Sequence, residues 1–143
     1  MRPNTLAEAT TRIEQGEPLE KALSEFLDTF YTAPDTASRI EMLREEPVSI
    51  GTRPDALIGA VAEYLSHEYA LPRVPAWAFG PSRYLDRAWH TTPFADAAMR
   101  EYLTFSSPAE FASRNIFTEE RPLRRARSHL PFVNEMPLSS EPA

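Results

Sequence analysis

The residues suited to acid–base, nucleophilic or metal chemistry are few and poorly spaced for it. His67-Glu68-Tyr69-Ala70-Leu71 opens like the zinc motif H-E-x-x-H but carries Leu71 where the second ligand must stand. His90 and His129 lie elsewhere in the chain, and three scattered histidines make no metal set. Glu63 precedes His67 by four residues, a helical spacing that permits a surface hydrogen bond. Glu45-Glu46 and Glu119-Glu120 are adjacent pairs, and neighbours on a helix point in different directions. Glycosidase carboxyls instead face each other across about 5–9.5 Å. There is no cysteine, which excludes thiolate nucleophiles, disulfides and cysteine-based zinc sites. A Gly-x-Ser-x-Gly elbow and a glycine-rich phosphate loop are also missing, and Ser106-Ser107 reads as capping chemistry. These residues imply no catalytic, cofactor-binding or metal site.

Recognition chemistry is better represented. The stretch Leu71 to His90 holds Trp77, Phe79, Tyr84 and Trp89 together with Pro72, Pro75 and Pro81, between two segments that read as helices. So much ring surface in an irregular segment must pack somewhere. One reading folds the rings back as a lid over the helices, since aromatics dominate the energetics of a small core. The other leaves one or two exposed as interface anchors, flanked by Arg73, Arg83 and Arg87, because Trp, Tyr and Arg are enriched at binding hot spots. Stacking of single-stranded nucleic acid on the rings is a third use. A basic stretch follows: Arg114, Arg121, Arg124, Arg125 and Arg127, offset by Glu119 and Glu120. If 119–129 is helical, Arg121, Arg124 and Arg125 share one face. That face is either solvated or an electrostatic patch for an acidic partner or a phosphate backbone, the acidic partner being favoured because the cluster is short and the chain as a whole negative. The candidate partner-binding residues are therefore Trp77, Phe79, Tyr84, Trp89, Arg83, Arg87, Arg121, Arg124 and Arg125.

The elements that must position them read as helices. Thr5-Leu-Ala-Glu8 matches a capping box that opens a helix to about Gln15, with Gly16 suited to the stop. Leu19, Leu23, Phe26, Leu27 and Phe30 recur at helical spacing, giving the strongest amphipathic helix over 18–32, with Pro18 at its first position. Asp35 caps a helix over 36–46, and a longer one spans 54–69. One or two turns are expected within 81–87. A helix from Thr92-Pro93 to about Thr104 places Phe94, Ala98, Tyr102 and Phe105 at core positions. Ser107-Pro-Ala-Glu110 is a second capping box, opening a helix through Arg114, with Ile116 and Phe117 anchoring its exit. No run alternates at period two, and hairpin dipeptides are absent. The expected fold is all-α, with five to seven helices around one core, the helices at 18–32 and 54–69 at its centre and the Pro- and Trp-rich connection wrapped across them.

At 143 residues, size implies a single domain, read here as 1–130, with 131–143 as a flexible tail rich in proline. Net charge is −6, with six basic and thirteen acidic side chains in residues 1–70 and nine and eight in 71–143. An acidic chain is a poor general binder of nucleic acid, whose phosphates require Lys and Arg. No apolar run reaches the roughly 18 residues of a membrane span, and the N-terminus is unlike a signal peptide. A cytoplasmic protein with no membrane partner is the expectation.

Several segments together resemble a widespread group of small bacterial helical proteins. They are Leu19-Glu-Lys-Ala-Leu-Ser-Glu-Phe-Leu-Asp-Thr-Phe-Tyr31, Glu45-Glu-Pro47, Asp55-Ala-Leu, Ala62-Glu-Tyr-Leu, Pro75-Ala-Trp77, Arg83-Tyr-Leu-Asp-Arg-Ala-Trp89 and Ser107-Pro-Ala-Glu-Phe-Ala-Ser-Arg-Asn-Ile-Phe117. They cover roughly residues 5 to 127. Some members of the group are fused to helix-turn-helix regulators and are antitoxin-like. The resemblance implies a non-catalytic module, the antitoxin or regulatory half of a two-gene system. Its partner would be a protein encoded nearby, such as a nucleotidyltransferase-like toxin. Residues 1–16 are too short for a helix-turn-helix domain, so nucleic acid ranks second among the implied partners.

Overall fold

A computed structural model describes residues 2–92 and 96–124. Among these the chain is all-α, with six helices: α1 (Leu6–Glu14), α2 (Leu19–Tyr31), α3 (Thr36–Arg44), α4 (Thr52–Glu68), α5 (Ala97–Ser106) and α6 (Ala109–Ala112). Two 3₁₀ turns, Ala76–Phe79 and Pro81–Arg83, and two dipeptide strands, β1 (Trp89–His90) and β2 (Ile116–Phe117), complete it. Size alone implies one domain over 1–130; the internal contacts group the chain into two compact units, Met1–Val48 with Leu123–Ala143, and Ser49–Pro122. Residues 131–143, read as a tail, lie outside the described residues.

In the first unit, α1 packs against α2 and α3. Local sequence sets each boundary. The Thr5 hydroxyl accepts from Glu8 N at 3.0 Å, and Glu8 reaches back to Asn4 N at 2.6 Å. Gly16, at φ 114°, turns the chain out of α1 while its N–H bonds Ile13 O, a conformation that side chains resist. Pro18 sits at the N-cap of α2 rather than inside it. The α2 stripe buries Ala22, Leu23, Phe26, Leu27, Phe30 and Tyr31. Its last carbonyls need donors, and Arg39 from α3 supplies them: Nε bonds Phe30 O at 3.0 Å, and one terminal nitrogen reaches Tyr31 O and Ala33 O at 3.2 Å each. Asp35 caps α3 through Ser38 N at 2.8 Å.

In the second unit, α4 is the central rod. It starts at Thr52, two residues before the expected Pro54, because Gly51 takes φ 126° at the N-cap. Buried Asp55 holds the entry loop, accepting from the Ser49 hydroxyl at 2.6 Å and from Ile50 N at 2.7 Å. Ten residues of α4 are buried, among them Ala56, Gly59, Ala60, Ala62 and Ser66. Both 3₁₀ turns and α6 pack against α4, with Arg83 and Arg114 lying close to the bare backbone at Gly59 and Phe111 meeting Tyr64 edge-on. Thus the Pro- and Trp-rich connection lies along α4. Strands β1 and β2 pair in parallel, Trp89 with Ile116 and His90 with Phe117. Two residues are too few to show a period, so the sequence pattern carries no sign of them.

Three expectations are corrected. The helix expected from Thr92 starts instead at Ala97, capped by Asp96 through Met99 N at 2.8 Å. Its expected core positions Ala98, Tyr102 and Phe105 face solvent, while Leu103 is buried; Phe94 lies outside the described residues. Ser107 does not cap α6: its hydroxyl accepts from Thr118 N at 2.8 Å and donates back toward α5, binding the exit of β2 to the α5 terminus. Residues 119–124 form no helix, and Arg125 with the rest of the 119–129 stretch lies outside the described residues.

The Tyr31 phenol is buried and donates to Leu123 O at 2.6 Å. Tyr31→Phe leaves that carbonyl without its donor and should cost about 1–2 kcal/mol. Urea unfolding checks this: the midpoint should fall while the slope stays that of the wild type.

Candidate functional site

Two arginines define the most unusual chemistry of the second unit. Gly59 stands in the middle of α4, where a glycine costs helix stability. A Cβ built there would lie 2.8 Å from Arg83 Cβ and 3.2 Å from Arg114 Nε. Both arginines therefore lie against bare helix backbone. Arg114 is fully buried. Its guanidinium bonds Glu63 Oε1 at 2.5 Å, Glu110 O at 2.9 Å and Ala78 O at 2.7 Å. Its Nε, above Gly59, has no hydrogen-bond partner among the described residues. Arg83 is also buried and donates to Asp55 O at 3.2 Å.

These cations support an aromatic shelf. The Arg114 guanidinium carbon lies 4.7 Å from the centre of the Tyr84 ring and 5.8 Å from that of Phe79. That of Arg83 lies 4.9 Å from Trp77. A cation under a ring is worth about 2 kcal/mol when desolvated. The rings remain open on their outer side, with Phe79 49% and Tyr84 36% exposed. Trp77 is half-buried. The shelf is thus wet above and ionic beneath. Behind it, Leu85 N bonds Arg114 O at 3.3 Å, and Asn115 Nδ2 bonds Leu85 O at 2.7 Å.

An acid–imidazole cluster continues from Arg114. His67 Nδ1 donates to Glu110 Oε2 at 2.6 Å, while its Nε2 faces Glu63 Oε2 at 3.9 Å. The surface bond anticipated from the Glu63–His67 spacing is thus a longer contact, and Glu110 takes the closer one. Burial pushes the neighbouring Glu68 carboxyl above its ordinary value; Glu110 adds to this and His67 opposes it. Burial likewise raises the Tyr64 phenol, helped by Glu68 and Glu110 and opposed by Arg121. The cluster joins α4 to α6. Among the described residues, no group of three or more His, Asp or Glu is disposed to hold a metal ion.

The structure sorts the expected binding residues. Trp77, Phe79 and Tyr84 come together on the shelf. Trp89 is half-buried, in β1, with the Arg53 guanidinium 5.2 Å from its ring centre. Arg83, expected to flank an anchor at the surface, is instead buried beneath one, because Gly59 and Trp77 enclose it. Arg87 is exposed, Arg121 half-buried and Arg124 exposed; Arg125 lies outside the described residues. Arg114, counted in the basic stretch, belongs to the interior. Sequence reasoning missed Gly59, Glu63 and Glu110 as its partners. A lone glycine within an Ala-rich helix was the available signal of a close approach. No helix among the described residues is long and apolar enough to cross a membrane. Comparison with protein-family models, curated proteins and solved structures finds no match to this chain.

Two outcomes follow. Gly59→Ala should lower stability by about 1–3 kcal/mol through overpacking, although alanine is the better helix former by about 1 kcal/mol. A thermal melt that rises would refute the close packing. Because the Glu68 carboxyl is raised in the folded state, its ionisation opposes folding, and stability falls as pH climbs from the ordinary glutamate range through the raised value. Glu68→Gln should therefore stabilise near neutrality, and the gain should vanish below about pH 4 in denaturant titrations.

Proposed function

We propose that this protein acts by holding a partner protein on the shelf formed by Phe79 and Tyr84 with Trp77 beside them, without making or breaking bonds itself. The observation that carries this reading is the pairing of exposed rings with a fully buried cation beneath them. Rings fixed in advance lose little freedom on binding, which is what makes aromatic anchors effective hot spots. A protein partner is favoured over nucleic acid because the two guanidiniums nearest the shelf, Arg83 and Arg114, are buried and engaged with carbonyls and a carboxylate. Phosphate neutralisation needs accessible cations. The exposed Arg87 at the edge of this segment, with the half-buried Arg121 of the basic stretch, supplies candidates for charge-assisted hydrogen bonds to an acidic partner.

In biological terms the reading is an antitoxin-like or regulatory half of a bacterial two-gene system. It rests on the resemblance of the segments from Leu19 to Phe117 together with this shelf. The partner is then the product of the adjacent gene, a nucleotidyltransferase-like toxin being the kind that the resemblance implies.

Co-expression with that product, followed by affinity purification and calorimetry, is the test. The wild type should co-purify, and Phe79→Ala should weaken the complex at least tenfold, about 1.4 kcal/mol, at a temperature where circular dichroism shows the variant still folded. Absence of co-purification, or equal affinity in the variant, overturns the reading.

A further inference from the structure

The chain carries an occupant for the shelf in its own sequence. Seven of the nine residues from Leu130 to Leu138 are apolar, with Phe132, Val133 and Met136 in the middle. A segment selected only to stay in water is poor in such residues. From Leu130 onward its charged side chains are Glu135 and Glu141, with no lysine or arginine among them. Pro131 and Pro137 restrict its backbone, which reduces the freedom lost on docking. Aromatic-lined grooves are a recurring receptor for proline-bearing segments.

Charge selects between the two exposed apolar surfaces of the second unit. On α5, Tyr102 and Phe105 stand open along a shallow concavity bordered by Glu101. That carboxylate opposes Glu135 and Glu141, and Arg100, two residues after Ala98, falls on the other side of the helix. The shelf has the complementary sign. From Leu71 to Thr91 the charged residues are Arg73, Arg83 and Arg87 against Asp86, and Arg73 and Arg87 are exposed. The guanidiniums of Arg83 and Arg114 lie beneath Trp77 and Tyr84 and draw ring electron density inward, so the outer faces are less negative than those of free rings.

Chain length permits the contact. Arg114, under the shelf, is nine residues from Leu123, and Leu123 is nine residues from Phe132. At up to about 3.5 Å per residue, Phe132 can return as far as the chain has travelled from Arg114, roughly 30 Å.

We propose that the segment Leu130 to Leu138 docks on the aromatic shelf of its own chain, with Phe132 against Phe79 and Tyr84 and Glu135 toward the exposed arginines, and so competes with the partner. The inference rests on the reading of the shelf as a binding surface and adds its regulation. Tethering makes a weak contact sufficient. With a dissociation constant of about 100 µM and an effective concentration of about 1 mM, the segment is docked about nine-tenths of the time. A partner then binds about tenfold more weakly than it would to an open shelf.

The chain has no cysteine, so Ser139→Cys gives a single attachment point for a nitroxide in the full chain. Broadening of backbone amide resonances, measured against the reduced label, reports where the segment lies. It should be strongest at Phe79 and Tyr84 and weaker at Tyr102 and Phe105. Phe132→Ala, by weakening docking about tenfold, should bring the docked fraction to about half and reduce the broadening accordingly. Glu135→Lys should reduce it as well. An isotope-labelled chain without nitroxide, mixed with the nitroxide-bearing chain, should show no broadening, since the contact is within one molecule. Broadening that is absent from the shelf, strongest on α5, undiminished in either variant, or present in the mixture would each overturn the proposal. The experiment contains no partner: docking without co-purification overturns the partner reading alone, and co-purification without docking overturns this one alone.

Discussion

Arg114 is the constraint on which the second unit depends. A fully buried guanidinium is tolerated only when its charge and most of its donors are met. Here Glu63 supplies the charge, and the carbonyls of Ala78 and Glu110 take further donors. Those three acceptors come from α4, from the first 3₁₀ turn and from α6. One side chain therefore fastens three elements that the chain visits far apart. The bare backbone at Gly59 lets the side chain lie close enough to do so. The same cation fixes the outer surface, because Phe79 and Tyr84 rest on it. Core and candidate interface thus share a single group, which couples the stability of this unit to its ability to bind.

The acid–imidazole cluster extends that coupling. Glu63 serves both Arg114 and His67, and Glu110 offers its carbonyl to one and its carboxylate to the other. The carboxylates here face partners already assigned to them. They hold α4 and α6 together, with Glu68 at the edge in an environment that disfavours its charge. Such an arrangement explains perturbed ionisation through structure, without assigning a reaction to it.

Local chemistry made the first half of the fold legible. Thr5, Gly16 and Asp35 act where their capping chemistry places them, and the α2 stripe from Leu23 to Phe30 faces inward as its spacing requires. The later segments are governed by contacts that no window reveals. Arg114 looks like one more member of a basic run until Glu63, fifty-one residues earlier, is brought to it. Ser107 has the spacing of a capping box, yet Thr118 outcompetes the helix for its hydroxyl. In α5 the apolar stripe is real, but periodicity gives a face and not the direction in which it points. Leu103 alone turns inward, so Tyr102 and Phe105 point to water. The aromatic segment fell between its two readings: Trp77 and Trp89 are half-buried, while Phe79 and Tyr84 are open.

The central claim is that the buried fork of Arg114 holds the segment carrying the aromatic shelf. Amide hydrogen exchange of Arg114→Lys against the wild type tests it most directly, since lysine keeps the charge but lacks the planar fork that spreads donors over these three acceptors. The account requires Ala78, Gly80, Arg83 and Tyr84, whose amides bond within the 3₁₀ turns, to exchange much faster in the variant. The amides of α2, in the other unit, should keep their protection. Protection in the 76–84 segment equal to that of the wild type would contradict it.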